Sequence, residues 1–478
     1  MNENLQLPGN PRYQPADLIP IFGYDNLYKP WGQIELAKLE VMKEISMIPA
    51  SAWETLTDEQ VKMILNIKTS ATDKVEREIT KHDVDAHKKL MKGILDPALA
   101  RFIHLPLTSY DKINTGQVML FRQAFGVIEP KIKALISDLS DLTELFASEL
   151  QIGRTHGQHA IPITVGFWFA TLLFRVTYNY LKMKQSVDEL YGKITGAVGA
   201  CNAQVALGFE KPGDEKTFEA RVLEKLNLKP AMISTQILTP ESVAYFLFSA
   251  TMLSAALGQL GRDGRQLMRT EIGELAEGFS STQTGSSTMA HKRNPINFEN
   301  TEGMWIKNKN EFGKVMDTLI SEHQRDLVNS SVMRDFPIIL VNLMCQLNTL
   351  LRKGGEDKSS FIKRVKFDHG NLDNNFRMNA NLIMAEPIYI SLQLAGYEGD
   401  AHHLVNHVLT PISQKMRIPL GKALFHHLEE SPDEDLPRAV KAIPSEIFAL
   451  FDHPQKYTGK AKEKAMEVAG WARQQIAG

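Results

Sequence analysis

The chain has 478 residues, too many for one ordinary hydrophobic core, so two or three domains are expected. Hydrophobic residues make up 43% and charged residues 23%, the proportions of a soluble globular protein; the formal charge of −2 argues against a surface built for nucleic acid or an anionic membrane. Cys201 and Cys345, the two cysteines, are far apart in sequence, which argues against a disulfide framework and fits a reducing cytoplasm.

In chain order, Met1-Asn2-Glu3-Asn4 has neither the basic start nor the apolar core of a signal peptide. Short helices broken by Pro20, Pro30, Pro49 and Pro106 make up an expected N-terminal helical domain, 1–113. From 114 to 365 the periodicity predicts long helices. One carries a stripe through Ile132, Leu135, Ile136, Leu139, Leu142, Phe146 and Leu150; a second follows Val176 and runs past Leu190 and Ile194; a third begins near Glu241.

Two stretches, Ile161 to Phe174 and Ser242 to Gly261, contain no Asp, Glu, Lys or Arg. The first is too short to span a bilayer, and the second carries Ser242, Ser249, Thr251, Ser254 and Gln259 around its circumference. Helices apolar on all sides are buried ones, so both are expected at the centre of a bundle. Lys353 to Lys358 reads as a loop, and a helical tail punctuated by Pro387, Pro411, Pro432 and Pro454 forms a third expected domain, 366–478. The fold class is therefore all-α with a central long-helix bundle.

The sharpest local feature is Gly285-Ser286-Ser287-Thr288-Met289-Ala290-His291-Lys292-Arg293-Asn294-Pro295. Paired serines ahead of Lys292 and Asn294 offer a nucleophile or base beside a cation and an amide that can hold a carboxylate. On composition alone this would be an ordinary polar linker. The run resembles the signature loop of the fumarase/aspartase superfamily, departing only at Ala290, where the pattern has Pro. The resemblance implies that Ser286 is the general base and that Ser287, Lys292 and Asn294 hold the dicarboxylate. Phe298-Glu299-Asn300 resembles the element that carries a further substrate-binding asparagine.

Gly153-Arg154-Thr155-His156-Gly157-Gln158-His159 is read as a Thr-His pair entering a buried helix, able to place an imidazole in a cleft. It resembles the superfamily's TH motif, which makes His156 the general acid; His159 is left as a structural histidine.

Further pieces resemble the adenylosuccinate lyase branch. His82 and Asp83 would orient the acid or the substrate, Thr108 and Ser109 ahead of Asp111 would bind the succinyl group, and Gln236 of a Thr-Gln pair would touch the substrate. Pro106-Leu107 ahead of the Thr-Ser pair departs from the usual pattern. Arg325, Ser330 and Arg334 resemble the branch's phosphate element, with a turn expected between Arg325 and Ser330, and Arg12-Tyr13 resembles the pair that completes the nucleotide site. Gly192 to Gly199 and Ala385-Glu386-Pro387 also match.

The resemblance covers roughly the first 400 residues. It implies a three-domain fold whose bundle forms a tetramer core, with shared active sites. It also implies β-elimination of fumarate from a succinylated purine nucleotide, with neither cofactor nor metal. The competing readings are a sibling lyase for another succinyl or muconate-type substrate, or a non-catalytic structural relative. His402, His403 and His407 lack a completing Glu or Cys and read as surface residues.

Overall fold

Residues 14–278, 289, 292–431 and 433–477 are described in a computed structural model, which is 66% helix and 5% strand. The organising helices are α1 (Lys29–Glu44), α2 (Asp83–Ile94), α3 (Ser109–Leu145), α4 (Val165–Asp188), α5 (Glu241–Leu267), α6 (Ile296–Asp317), α7 (Pro337–Leu350) and α8 (Ala461–Ile476). The strands are β1 (Leu150–Thr155), β2 (Gln158–Thr164), β3 (Leu275–Ala276) and β4 (Lys366–Phe367), paired antiparallel as β1–β2 and β3–β4.

The chain forms two compact units. The first takes the described part of Met1–Ala134 with Tyr178–Gly258 and Asn300–Leu350. Its core joins Phe121 and Ile128 of α3, Phe246 and Leu253 of α5, and Ile339 and Leu343 of α7, all fully buried. A polar key runs through this core: the Ser254 hydroxyl donates to Gln346 Oε1 at 2.7 Å, and Gln346 Nε2 donates to the Thr301 carbonyl at 2.8 Å. Buried polar groups are tolerable only when paired in this way. At Gly258 a Cβ would stand 2.7 Å from Trp305 Cβ, so the missing side chain of α5 makes room for an indole of α6.

The second unit takes Leu135–Thr177, Gln259–Glu299 and Leu351–Gly478. Its tail packs around Ile388, Leu392, Val405, Leu409, Leu420 and Leu424. Phe146, Trp168, Phe169 and Phe367 form a second cluster of rings 4.5–6.3 Å apart. The stretch 353–358 is a loop closed by a bridge between Gly354 and Ser359.

Three helix expectations need correction. The stripe on α3 is buried at Leu135, Ile136, Leu139 and Leu142, but the helix stops at Leu145 and Leu150 opens β1. Residues 161–164 are strand, because β-branched Ile163 and Thr164 pair with Gln151 and Leu150 across a hairpin, and helix begins only at Val165. The next helix ends at Asp188. The segment after it is held by tertiary bonds, Gly192 N–H to the Lys229 carbonyl and Lys193 N–H to the Thr115 hydroxyl, which displace helical ones.

The third long helix does begin at Glu241. It is long and apolar enough to cross a membrane, yet 67% of its most apolar window is buried. Nor is it covered all round: Tyr245, Phe248 and Met252, at helical spacing, stay exposed.

Candidate active site

In the first unit a cavity of about 420 Å³ is lined by Tyr28, Trp31, Asp83, Tyr110, Ser330 and Arg334, among others. Pro30 starts α1 in a conformation already suited to a helix. On either side of it the Tyr28 and Trp31 rings stack, their centroids 4.1 Å apart and their planes inclined by 24°. Burial, then the charges of Asp83 and Glu76, push the Tyr28 hydroxyl well above its ordinary range, with Arg334 pulling the other way. Tyr28 is therefore a donor, not an anion, throughout the physiological range.

Asp83 is placed by an irregular lead-in. A π-helical turn at Glu76–Thr80 ends on Lys81, whose φ of 54° reverses the chain. His82 then caps α2, its Nδ1 accepting from Asp85 N–H at 3.4 Å and lying 3.4 Å from Asp83 Oδ1. His82 is exposed and does not line the cavity.

The expected turn between Arg325 and Ser330 is present. Asp326 accepts from the Glu322 and Val328 amides and from the Ser321 hydroxyl, bonds that hold its carboxyl below the usual range. The chain then forms a helical turn at Val328–Val332, and Gln117 Nε2 fastens the Met333 carbonyl at 3.1 Å. Ser330 and Arg334 line the cavity. Arg325 does not: its Nη1 donates to Gln236 Oε1 at 3.1 Å, and its Cζ lies 3.8 Å above the Tyr110 ring.

Thr108 and Ser109 stand at the N-terminus of α3, where unpaired N–H groups and the helix dipole favour an anion. The Asp111 carboxylate organises this end. It accepts from Thr108 N–H at 2.8 Å, Thr195 N–H at 3.1 Å, Gly196 N–H at 3.2 Å and Lys193 Nζ at 2.5 Å. Both Asp111 and Lys193 are fully buried. The adjacent Lys112 is buried too and pairs with Glu35 at 3.2 Å. Thr195 and Ser234 share a hydrogen bond of 2.8 Å, so the Gln236 segment is tied to the same frame.

Glu219 accepts from Ile194 N–H at 2.8 Å, and burial pushes its carboxyl up to about 7. The sequence names Asp111 and the Gly192 to Gly199 stretch separately, but it shows neither their pairing nor Glu219, Tyr28, Trp31 and Tyr110. Its available signals were Tyr110 directly after the Thr-Ser pair and an Asp three residues after Thr108, the reach-back position of a helix cap.

In the second unit His156 is not on a helix. It is exposed at the tip of the β1–β2 hairpin, with φ 53° at His156 and 76° at Gly157. Positive φ at both residues of a two-residue loop is the turn that matches strand twist, and Gly157 supplies it without strain. The hairpin is anchored by buried Glu274, which accepts from Gln151 at 2.8 Å and from Arg154 at 2.5 and 3.2 Å. His159 contacts Arg154 and Asn379 at 3.3 Å each, a structural setting, and burial and the Arg154 charge lower its pKa.

Lys292 is exposed ahead of α6, and Asn294 is half-buried there. Glu277 accepts from the Asn297 and Phe298 amides at 2.9 and 3.1 Å, fixing that helix start. Asn300, which belongs to the first unit, donates to the Thr349 hydroxyl at 3.0 Å. Arg12, Tyr13, Ser286 and Ser287 lie outside the described residues. His403 and His407 stack at 4.8 Å and His402 packs on Tyr389, with no three-residue metal-holding group among the described residues.

Comparison with known proteins gives this arrangement its class. The lyase family model matches residues 34–307. Among solved structures, fumarate lyase from Mesorhizobium sp. BNC1 superposes with a TM-score of 0.78 at 18% identity, covering 97% of this chain and 100% of that one. The 3-carboxy-cis,cis-muconate lactonizing enzyme from Pseudomonas putida gives 0.77 at 21% identity, covering 97% and 98%. These likenesses define the fold: the all-α architecture of the fumarase/aspartase lyases.

Sequence narrows it further. Adenylosuccinate lyase from Methanocaldococcus jannaschii is 31% identical over 460 residues, 96% of this chain and 94% of that protein. The enzyme of the same name from Archaeoglobus fulgidus is 30% identical over 97% of this chain and 98% of its own length. The chain belongs to the adenylosuccinate lyase family.

Proposed function

We propose that this lyase releases fumarate from adenylosuccinate, giving AMP, and from the succinylated aminoimidazole carboxamide ribonucleotide. One observation carries the reading. Ser330 and Arg334 share a cavity with Asp83 and three aromatic side chains, a setting for phosphate, sugar and base. Arg12 and Tyr13 complete the nucleotide side. Thr108 and Ser109, with the dipole of α3 behind them, Gln236, Lys292, Asn294, Ser287 and Asn300 hold the succinyl carboxylates.

Ser286 takes the Cβ proton. The resulting aci-carboxylate is stabilised by donors already in place. His156 protonates the departing nitrogen, and His82 orients the acid or the substrate.

The sequence divisions 1–113, 114–365 and 366–478 serve as the three domains of a cytoplasmic homotetramer. The exposed stripe Tyr245, Phe248 and Met252 supports assembly, since such a face needs a partner. His156 and Ser286 then reach each site from different chains.

The direct test is fumarate release from adenylosuccinate by the purified chain, in buffer treated to remove metals. For assembly, inactive His156→Ala and Ser286→Ala proteins are dissociated, mixed and reassociated. Random mixing returns about one quarter of native activity. No recovery in verified hybrids would mean that one chain supplies both residues.

A further inference from the structure

The sequence pattern places Arg325 beside Ser330 and Arg334, yet it does not line their cavity and its hydrogen bond goes elsewhere. Nη1 donates to Gln236 Oε1 at 3.1 Å while Cζ stands over the Tyr110 ring, 3.8 Å from its centroid. An arginine has donors only, so the amide atom that faces it must be the oxygen. That fixes which way round the Gln236 amide sits. Its Nε2, with two hydrogens, points away from Arg325 and meets no acceptor among the described residues.

Contact with the Tyr110 ring holds the guanidinium, and with it the direction of that bond. Tyr110 follows Thr108 and Ser109 in the first turn of α3, and the Gln236 segment is tied through Ser234 to Thr195 and the Asp111 frame. The amide therefore belongs to the same rigid body as the Thr-Ser pair.

We infer that Arg325 is a positioning residue that locks the Gln236 amide with its NH₂ outward. Gln236 is thereby committed to donate to an acceptor, a carboxylate oxygen of the dicarboxylate part, and prevented from accepting a proton-bearing nitrogen. This rests on the proposed reaction and deepens it: the two arginines divide the substrate, Arg334 serving the nucleotide end and Arg325, through Gln236, the succinyl end. An unlocked amide is free to turn its oxygen toward a carboxylate and must pay to be turned back, which lowers both affinity and alignment.

The experiment compares Arg325→Met, Gln236→Met, the double variant and Arg334→Met. KM and kcat are measured for adenylosuccinate, together with the inhibition constant of AMP, which lacks the succinyl group. Arg325→Met and Gln236→Met are each expected to lower kcat/KM by about tenfold or more, the worth of a lost charge-assisted hydrogen bond. Both should leave AMP inhibition within about threefold, whereas Arg334→Met weakens it by about tenfold or more. The double variant should be no worse than Gln236→Met, because Arg325 acts through that amide.

AMP inhibition that weakens in Arg325→Met as in Arg334→Met, or losses that multiply in the double variant, would overturn the inference while leaving the lyase reading intact. A wild-type chain that releases no fumarate from adenylosuccinate overturns both. If Arg325→Met does not fold, Arg325→Lys carries the same comparison. It keeps the charge but not the planar fork, so it should still lower kcat/KM with AMP inhibition unchanged, and wild-type kcat/KM in that variant would overturn the inference.

Discussion

Asp111 and His156 are both near the ends of regular elements, but their surroundings are opposite. Asp111 is fully buried and accepts from Thr108, Lys193, Thr195 and Gly196, whereas His156 projects from a two-residue turn into solvent. The first region is a finished frame whose stability and geometry are one property. The second presents a side chain whose chemistry is separable from the stability of the fold. Substitutions in the two regions should therefore fail in different ways.

The largest expected effect is on catalysis at the hairpin. His156→Asn keeps the turn, because Asn tolerates positive φ and Asn-Gly is a favoured pair for it. Turnover should fall by about two to four decades with the melting temperature nearly unchanged. A variant that keeps a tenth of wild-type turnover, or that melts many degrees lower, breaks the contrast.

In the frame, Lys193→Met should do the reverse. It strands the Asp111 carboxylate without its cation, a loss of about 3–5 kcal/mol of stability for a broken buried pair. Denaturant unfolding measures this, and a change below about 1 kcal/mol would show that the amide donors alone suffice for Asp111.

Smaller and more local, Arg334→Ala should weaken AMP binding by about 1.5–3 kcal/mol, read by titration, with little change in unfolding.

The smallest effect belongs to Glu219. Its folded pKa of about 7 exceeds the ordinary 4.5, so the native state holds a proton that the unfolded chain releases between those values. Stability from this group is therefore full below about pH 4.5, declines as pH rises and levels off above 7. Glu219→Gln keeps an oxygen for the Ile194 amide and should be the more stable protein at pH 8, with no difference near pH 4. Equal stability of the two proteins across that range would contradict the burial argument.

The same contrast explains what was legible in the sequence. The long helices were, because α3 and α5 carry apolar residues at helical spacing over many turns. The hairpin was not: Ile161, Ile163 and Val165 stand in an uncharged run that short-range periodicity cannot distinguish from a helix. The positive-φ turn that gives the hairpin away contains a histidine rather than the Asn or Asp that usually signals one.

Among site residues, Ser330, Arg334 and Asp83, singled out in the sequence as separate pieces, line one cavity. Arg325 follows the same sequence logic but is turned aside by Gln236 and Tyr110, partners 89 and 215 positions away that no local pattern announces. Tyr28 and Trp31 were hidden because aromatic residues at a helix start read equally well as core.

The notch at Gly258 has a mechanical consequence. Trp305 occupies it like a tooth, and one turn away, about 5.4 Å along the axis, α5 offers Ser254 and Ala255, whose side chains leave no such notch. Axial slip of α6 toward the N-terminal end of α5 would have to lift the indole out of its seat and over a Cβ. In that direction the two helices are keyed in register like a ratchet and its pawl, so this contact resists shear between them.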